Sequence, residues 1–283
     1  MKFKKLSADI KYFKWCIKNW YRWKKNKILL LLFAYWILYP IPRLLFGKRG
    51  KEKIRTIFHN IISHFRDREL VIPFQLDSDT YYIGLRDLFD FDVFHENCIR
   101  DYYNYSLLKP GMSVVDVGAH IGTFTLLASG RVGERGKVIS IEPEPRNFRQ
   151  LEKNLKINEI KNVISINAAL SDFSGKSTLF INKDNEGHSL LFNNSTVGQI
   201  EVGVKTLDVL LKELNISKVD FLKIDAEGVE MSIIKGAQKT LQDNPDVKMT
   251  IEAFHYPREE LEVIEFLKKL NFSPKIDRDL ITI

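Results

Sequence analysis

The chain has 283 residues, 45% of them hydrophobic and 28% charged, which suits one domain with a sizeable core plus an appendage. Its two cysteines, Cys16 and Cys98, exclude a disulfide scaffold or a cysteine-built metal framework. The net charge of +7 is divided unevenly: residues 1–55 hold 16 Lys and Arg against 2 Asp and Glu, and the remainder holds 27 against 34. The basic balance therefore marks an attachment segment, and the acidic remainder argues against nucleic acid as a partner of the folded domain.

Residues 1–50 read as a membrane-attachment segment. Phe3, Leu6, Ile10, Phe13, Ile17 and Trp20 recur at steps of three and four, an apolar helical stripe, with Lys2, Lys4, Lys5, Lys11, Lys14 and Lys18 off it. A basic amphipathic helix of this kind lies on an anionic membrane surface, or packs on a partner. The apolar run from Ile28 to Pro42 follows, 15 residues against the roughly 20 that a spanning helix needs. Pro40 and Pro42 end or kink it. Basic clusters on both flanks suit a segment, within 28–46, that dips into the membrane and returns.

Residues 51–108 form a connecting region: a helix over Ile54–Phe65 and short strands near Phe74–Leu76 and Tyr81–Leu85. From residue 109 to 283 the pattern alternates regularly. SVVDVG is a buried strand, and Gly122 opens a helix to about Gly130; KVISIEP is a second strand, with a helix through Phe148, Leu151 and Leu155. VISINAAL reads as a third strand and TLFI with IEVGVKTL as a hairpin. VDFLKID is a fourth parallel strand, with one helix from about Glu227 to Leu241. VKMTIEAF is a fifth, the next helix carries Leu261, Ile264, Leu267 and Leu270, and FSPKI with LITI closes the sheet. This predicts an α/β domain with a mostly parallel sheet covered on both faces, its ligands beyond the carboxyl ends of the strands.

Candidate site residues cluster at those ends. The stretch VVDVGAHIGTF spaces its glycines as Asp116-x-Gly118-x-x-x-Gly122, with Ala119 in the turn, and lacks the third glycine of a dinucleotide fingerprint. That disfavours a nicotinamide enzyme. A carboxylate beside a Gly turn repels a pyrophosphate and suits a cationic amino group, as in the methionine part of S-adenosylmethionine. Gly118 and Gly122 would let backbone approach such a ligand. Glu142, ending the second strand, is placed to accept from ribose hydroxyls. At the fourth and fifth strand ends stand Asp225, Glu227, Glu230, Glu252 and His255. Asp225, Glu227 and His255 are the candidate catalytic residues, each able to act as a general base. Asp225 and Glu227 alternatively cap the following helix. A divalent metal held by Asp225, Glu252 and His255 is a further alternative. Lys223 suits a buried ion pair.

VVDVGAHIGTFTLLAS, IEPEPRNFRQLEKN, AALSD, VKTLD and above all VDFLKIDAEGVEMSIIKGA resemble the FkbM family of S-adenosylmethionine-dependent methyltransferases, over roughly Lys109 to Leu270. The resemblance implies the class I methyltransferase (Rossmann-like) fold and methylation of a hydroxyl oxygen, often on a sugar or natural product. His120 departs from the family, where Asn is commoner. With the N-terminal segment, the expectation is an O-methyltransferase acting on a membrane-linked glycan or glycolipid, its catalytic domain facing the cytosol where S-adenosylmethionine is made. The alternative is a catalytically inactive binding or scaffold protein on the same fold.

Overall fold

The computed structural model describes residues 70–76, 79–182, 187–191 and 196–283. The attachment segment expected over residues 1–50 and the helix expected over Ile54–Phe65 lie outside the described residues. Among the described residues no helix is long and apolar enough to cross a membrane. The chain divides into two compact units, one of residues 1–71 and 84–102, the other of residues 72–83 and 103–283. The second unit thus takes in residues 72–83 and 103–108 of the region read as a connector.

The expected strands β1 (Leu70–Leu76) and β2 (Asp79–Leu85) pair with one another. Helix α1 (Leu88–Arg100) was not anticipated. Phe89, Phe91 and Val93 alternate with acids as in a strand, but Asp87 accepts from the Asp90 backbone N–H at 3.0 Å and starts a helix instead. Two guanidinium nitrogens of Arg86 then hold the buried Asp90 carboxylate, each at 2.9 Å.

After a 3-10 turn (Tyr105–Leu107), the second unit alternates strands and helices: β3 (Ser113–Val117), α2 (Thr123–Val132), β4 (Lys137–Ile141), α3 (Pro145–Ile157) and β5 (Val163–Ile166). An excursion of β6 (Ala169–Leu170), β7 (Gly175–Asn182) and β8 (Thr196–Lys205) leads to α4 (Leu207–Glu213). The chain continues through β9 (Phe221–Ile224), α5 (Glu230–Lys235), α6 (Gln238–Asp243), β10 (Lys248–Ile251), α7 (Glu259–Lys269), β11 (Lys275–Asp277) and β12 (Leu280–Thr282). One seven-stranded sheet runs β11-β12-β10-β9-β3-β4-β5. Its strands β10, β9, β3, β4 and β5 are parallel, and β12 runs antiparallel to β10 and β11. This mixed sheet has the class I methyltransferase-like arrangement.

Two sequence-based expectations need correction. VISINAAL is not one strand: it breaks at Asn167, whose side chain donates to the carbonyls of Glu142 and Pro143. Its second half, β6, joins the separate three-stranded sheet β6-β8-β7. The helix expected from Glu227 to Leu241 is two short helices that meet at Gly236–Ala237; a Cβ on Gly236 would sit 2.1 Å from the Ser171 carbonyl oxygen.

Side chains alternate faces along a strand, so the register sorts the sheet into rows. Val117, Ile141, Ile224 and Ile251 line up in one row, in a core with Ile233, Leu241, Val263 and Leu267. The preceding row is polar: Ser140, Asp116, Lys223 and Thr250, all buried. A polar row inside a sheet is costly unless its members satisfy one another, and it sits one residue from the carboxyl ends.

Candidate active site

The turn after β3 is shaped by the chain itself. Gly118, His120 and Gly122 have φ of 72°, 53° and 86°. A Cβ on Gly118 would lie 1.7 Å from the Asp225 carbonyl oxygen, and one on Gly122 would lie 2.3 Å from Leu151 Cδ1. Gly118 is therefore required by the close approach of backbone, and Gly122 by its positive φ beside Leu151. Backbone N–H groups of Gly118 and Ala119 both donate to the Ile141 carbonyl at 3.0 Å, His120 N–H donates to Glu142 Oε2 at 2.8 Å, and Gly122 N–H to the Ala119 carbonyl at 2.8 Å. A phosphate cradle needs such groups free to point at the ligand. This turn has spent them.

Asp116 is wholly buried, and its Oδ2 accepts from Thr125 Oγ1 at 2.6 Å. Its Oδ1 lies 3.2 Å from Lys223 Nζ, the neighbouring residue across the β3–β9 register. Asp116 thus meets an ammonium from inside the protein. Lys223 Nζ also donates to the carbonyls of Val117 at 3.1 Å and Gly118 at 2.7 Å, and lies 4.9 Å from the centre of the Tyr103 ring. Burial works against this ammonium, but Asp116, Asp225 and Glu252 outweigh it and hold its pKa above the ordinary value. The pair Asp116–Lys223 therefore pins the Gly turn to β9.

Glu142 does stand at the end of β4, buried, with its Oε1 accepting from Glu144 N–H at 2.9 Å. Burial pushes its pKa up to about 7 against the pull of the Glu144 and His120 N–H groups. A carboxylate offers about four lone-pair sites, so capacity remains for hydroxyl donors.

Beyond β9 and β10 the acids converge. Asp225 ends β9; Glu227 follows in a turn with φ of 58° and Gly228 with φ of 97°. Glu230 ties this turn, accepting from Ala226 N–H at 2.7 Å and Gly228 N–H at 2.9 Å. The helix that follows has Val229 at its N-cap and no side-chain cap, so neither Asp225 nor Glu227 caps it. Ser189, from the segment after β7, donates to the Glu227 carbonyl at 2.6 Å. His255, after β10, has Nδ1 3.3 Å from Glu227 Oε2 and Nε2 3.4 Å from Glu230 Oε1. Its backbone N–H donates to the buried Glu259 at 2.8 Å. Finally the Tyr103 hydroxyl lies 2.6 Å from Asp225 Oδ2 and 2.7 Å from Glu252 Oε2. Asp225, Glu227 and His255 are thus brought together, as the sequence suggested, with Glu230, Glu252, Glu259, Tyr103 and Ser189 around them.

With this geometry, the Methyltransferase FkbM domain family matches residues 116–274, more than half of the chain. The chain belongs to the FkbM methyltransferase family. Methyltransferase 1 of Beauveria bassiana is 26% identical over 165 residues, covering 51% of this chain and 64% of that protein. The hexuronic acid methyltransferase AglP of Haloferax volcanii is 27% identical over 168 residues, covering 58% of this chain and 66% of the relative. The chain therefore spans a little under two thirds of the length of these curated relatives. Among solved structures, a methyltransferase FkbM from Methylobacillus flagellatus is 21% identical with a TM-score of 0.43, over 63% of this chain and 46% of that one.

Charge states in the FkbM domain follow from this crowding. Burial opposes a charged His255, but Glu227 and Glu230 push its pKa up to about 12, so it is an imidazolium and not a free base. Burial and the neighbouring Asp225 charge push Glu252 up to about 8. Burial, then Glu230, does the same to Glu259. Asp225 is also raised by burial, with Lys223 pulling against it.

Asp225, Glu230 and His255 offer ligand atoms within 4.8 Å of one another. The fit to a divalent cation is poor: both ring nitrogens of His255 face acceptor oxygens, Glu227 Oε2 at Nδ1 and Glu230 Oε1 with the Glu252 carbonyl at Nε2, so neither directs a lone pair at an ion. The protonated His255 already supplies the positive charge the acids need, so no step below passes through a metal.

His120 has φ of 53°, in the positive-φ region that Asn, Asp and His enter more readily than other non-glycine residues. Tyr103, Ser189 and Glu259 escaped the sequence reading. Tyr103 precedes the first strand of the alternating pattern, and only the fold carries it to β9 and β10.

Proposed function

We propose that this FkbM domain transfers the methyl group of S-adenosylmethionine to a hydroxyl oxygen of a sugar. The observation that carries the reading is Asp225: a carboxylate at the end of β9, one strand from the Gly turn and two from Glu142. The turn's committed N–H groups suit a ligand without phosphates, and Glu142 keeps sites for ribose hydroxyls. When bound, S-adenosylmethionine supplies an electrophilic methyl that leaves a neutral thioether behind. The chain's task is to align the acceptor oxygen and take its proton. Asp225, as carboxylate, accepts that proton while the oxygen–carbon bond forms. His255, held as imidazolium between Glu227 and Glu230, fixes the turn that presents Asp225 and offsets its charge.

The acidic surroundings also favour a hydroxyl over a carboxylate as the acceptor. A carboxylate oxygen needs no base and would be repelled by Asp225 and Glu227, whereas a hydroxyl needs one. A sugar is supported by the relative named hexuronic acid methyltransferase and by the exposed Phe254 and the adjoining Tyr256, aromatic faces that suit a sugar ring. The basic, apolar N-terminal segment supports an acceptor carried on a membrane, a glycan or glycolipid, with the domain on the cytosolic side.

Purified protein incubated with S-adenosylmethionine and a panel of sugars, uronic acids and lipid-linked glycans tests this. An alkali-stable methyl ether on a sugar is expected. An alkali-labile methyl ester would overturn the hydroxyl assignment, and no transfer to any acceptor despite cofactor binding would favour the scaffold alternative.

A further inference from the structure

A single hydroxyl stands between two carboxyl groups in this site. Tyr103 Oη is 2.6 Å from Asp225 Oδ2 and 2.7 Å from Glu252 Oε2, both normal lengths for O–H···O bonds. A phenol has one proton and can donate to one of them only. Were both carboxyls ionised, the other contact would press an anionic oxygen against a phenol lone pair at hydrogen-bond distance. The second short contact is satisfied if that carboxyl carries a proton and donates it to Tyr103 Oη.

We propose that Tyr103 is the positioning residue of the base: Asp225, Tyr103 and Glu252 form one proton-sharing unit in which Glu252 keeps a proton, Tyr103 donates to Asp225, and Asp225 alone is ionised. The surrounding charges set which carboxyl keeps the proton. From β9, Lys223 Nζ lies 3.9 Å from Asp225 Oδ2, with Asp116 on its other side from β3. His255, beyond β10, adds positive charge near Asp225, while Glu227 in the turn opposes it. Glu230 of α5 lies 3.4 Å from His255 Nε2 and close to Asp225 as well, and Glu259 of α7 accepts from the His255 backbone N–H. Asp225 thus has the nearer fixed cation, and Glu252 is left to stay neutral; the raised pKa of Glu252 agrees with that order.

Tyr103 is itself fixed. Its ring covers the Lys223 ammonium and meets Phe124 edge-on at 6.0 Å. Its own proton is firmly held, since burial and the Asp225 charge raise its pKa well above the ordinary value. During transfer the acceptor's proton passes to Asp225, and neither the Tyr103 nor the Glu252 proton leaves the unit. This inference rests on Asp225 being the base, and its test separates the two.

Infrared difference spectroscopy of wild-type protein minus Glu252→Gln at neutral pH is the first arm, and it needs no substrate. A protonated-carboxyl carbonyl band present in wild type and lost in Glu252→Gln is expected; a band unchanged in Glu252→Gln but lost in Asp225→Asn would overturn the assignment. The second arm is the pH profile of methyl transfer by Tyr103→Phe. Loss of a hydrogen bond to a charged carboxylate moves the acid limb of kcat upward by about one to two pH units, with KM for S-adenosylmethionine held within about twofold. A fall in rate with the limb unmoved would make Tyr103 merely structural and overturn the proposal. If wild-type protein transfers no methyl, the function assignment fails while the infrared arm still decides the proton's position.

Discussion

Substituting Gly118 by Ala probes the joint on which the site is built. The new Cβ would sit 1.7 Å from the Asp225 carbonyl oxygen, whereas ordinary contact begins near 3.4 Å. The neighbour is backbone, so the ends of β3 and β9 must part by well over an ångström or the turn must refold. Overpacking of this kind costs about 1–3 kcal/mol, and an alanine with φ of 72° adds roughly 1–2 kcal/mol. The expected loss is therefore about 2–5 kcal/mol, read from urea unfolding. Gly111→Ala is the control, because Gly111 has φ of 86° with nothing within 4 Å of its would-be Cβ. It carries the conformational cost alone, so the difference between the two variants isolates the contact. Calorimetry should also show Gly118→Ala losing S-adenosylmethionine affinity while Gly111→Ala keeps it. Equal destabilisation by the two substitutions would refute the claim that Gly118 lies against Asp225.

Replacing Lys223 with Met should destabilise the fold by about 3–5 kcal/mol, because Asp116 is left as a buried, uncompensated charge. The double substitution with Asp116→Asn should recover part of that loss in the same unfolding assay. Thermal melts should show stability falling from about pH 6 to about pH 9. Glu252 raised to about 8 and His255 raised to about 12 both make the folded state bind more protons than the unfolded chain across that window, so stability drops as pH rises. A melting temperature that climbs over this range would contradict the assigned charge states.

The sheet was legible because parallel strands buried on both faces write themselves as short apolar runs such as SVVDVG and VKMTI, with turn residues between. Local pattern misled in two places: the helical pattern over Glu227–Leu241 is interrupted at Gly236–Ala237, and Asp87 caps a helix in a segment that alternates like a strand. The positions of Asp116, Glu142, Asp225 and His255 followed from strand ends. Their roles did not, since nothing local says that Asp116 pairs with Lys223 or that two glutamates flank His255. Tyr103 was illegible for the same reason: its partners lie 122 and 149 residues away in the chain.

The most direct test of the whole account is a two-part measurement on Asp225→Asn: S-adenosylmethionine affinity by calorimetry, and transfer of a deuterated methyl from it to the sugar acceptor by mass spectrometry. Affinity within a few-fold of wild type with transfer reduced by at least about 100-fold is predicted, the usual contribution of a general base. Transfer at the wild-type rate by Asp225→Asn would contradict it.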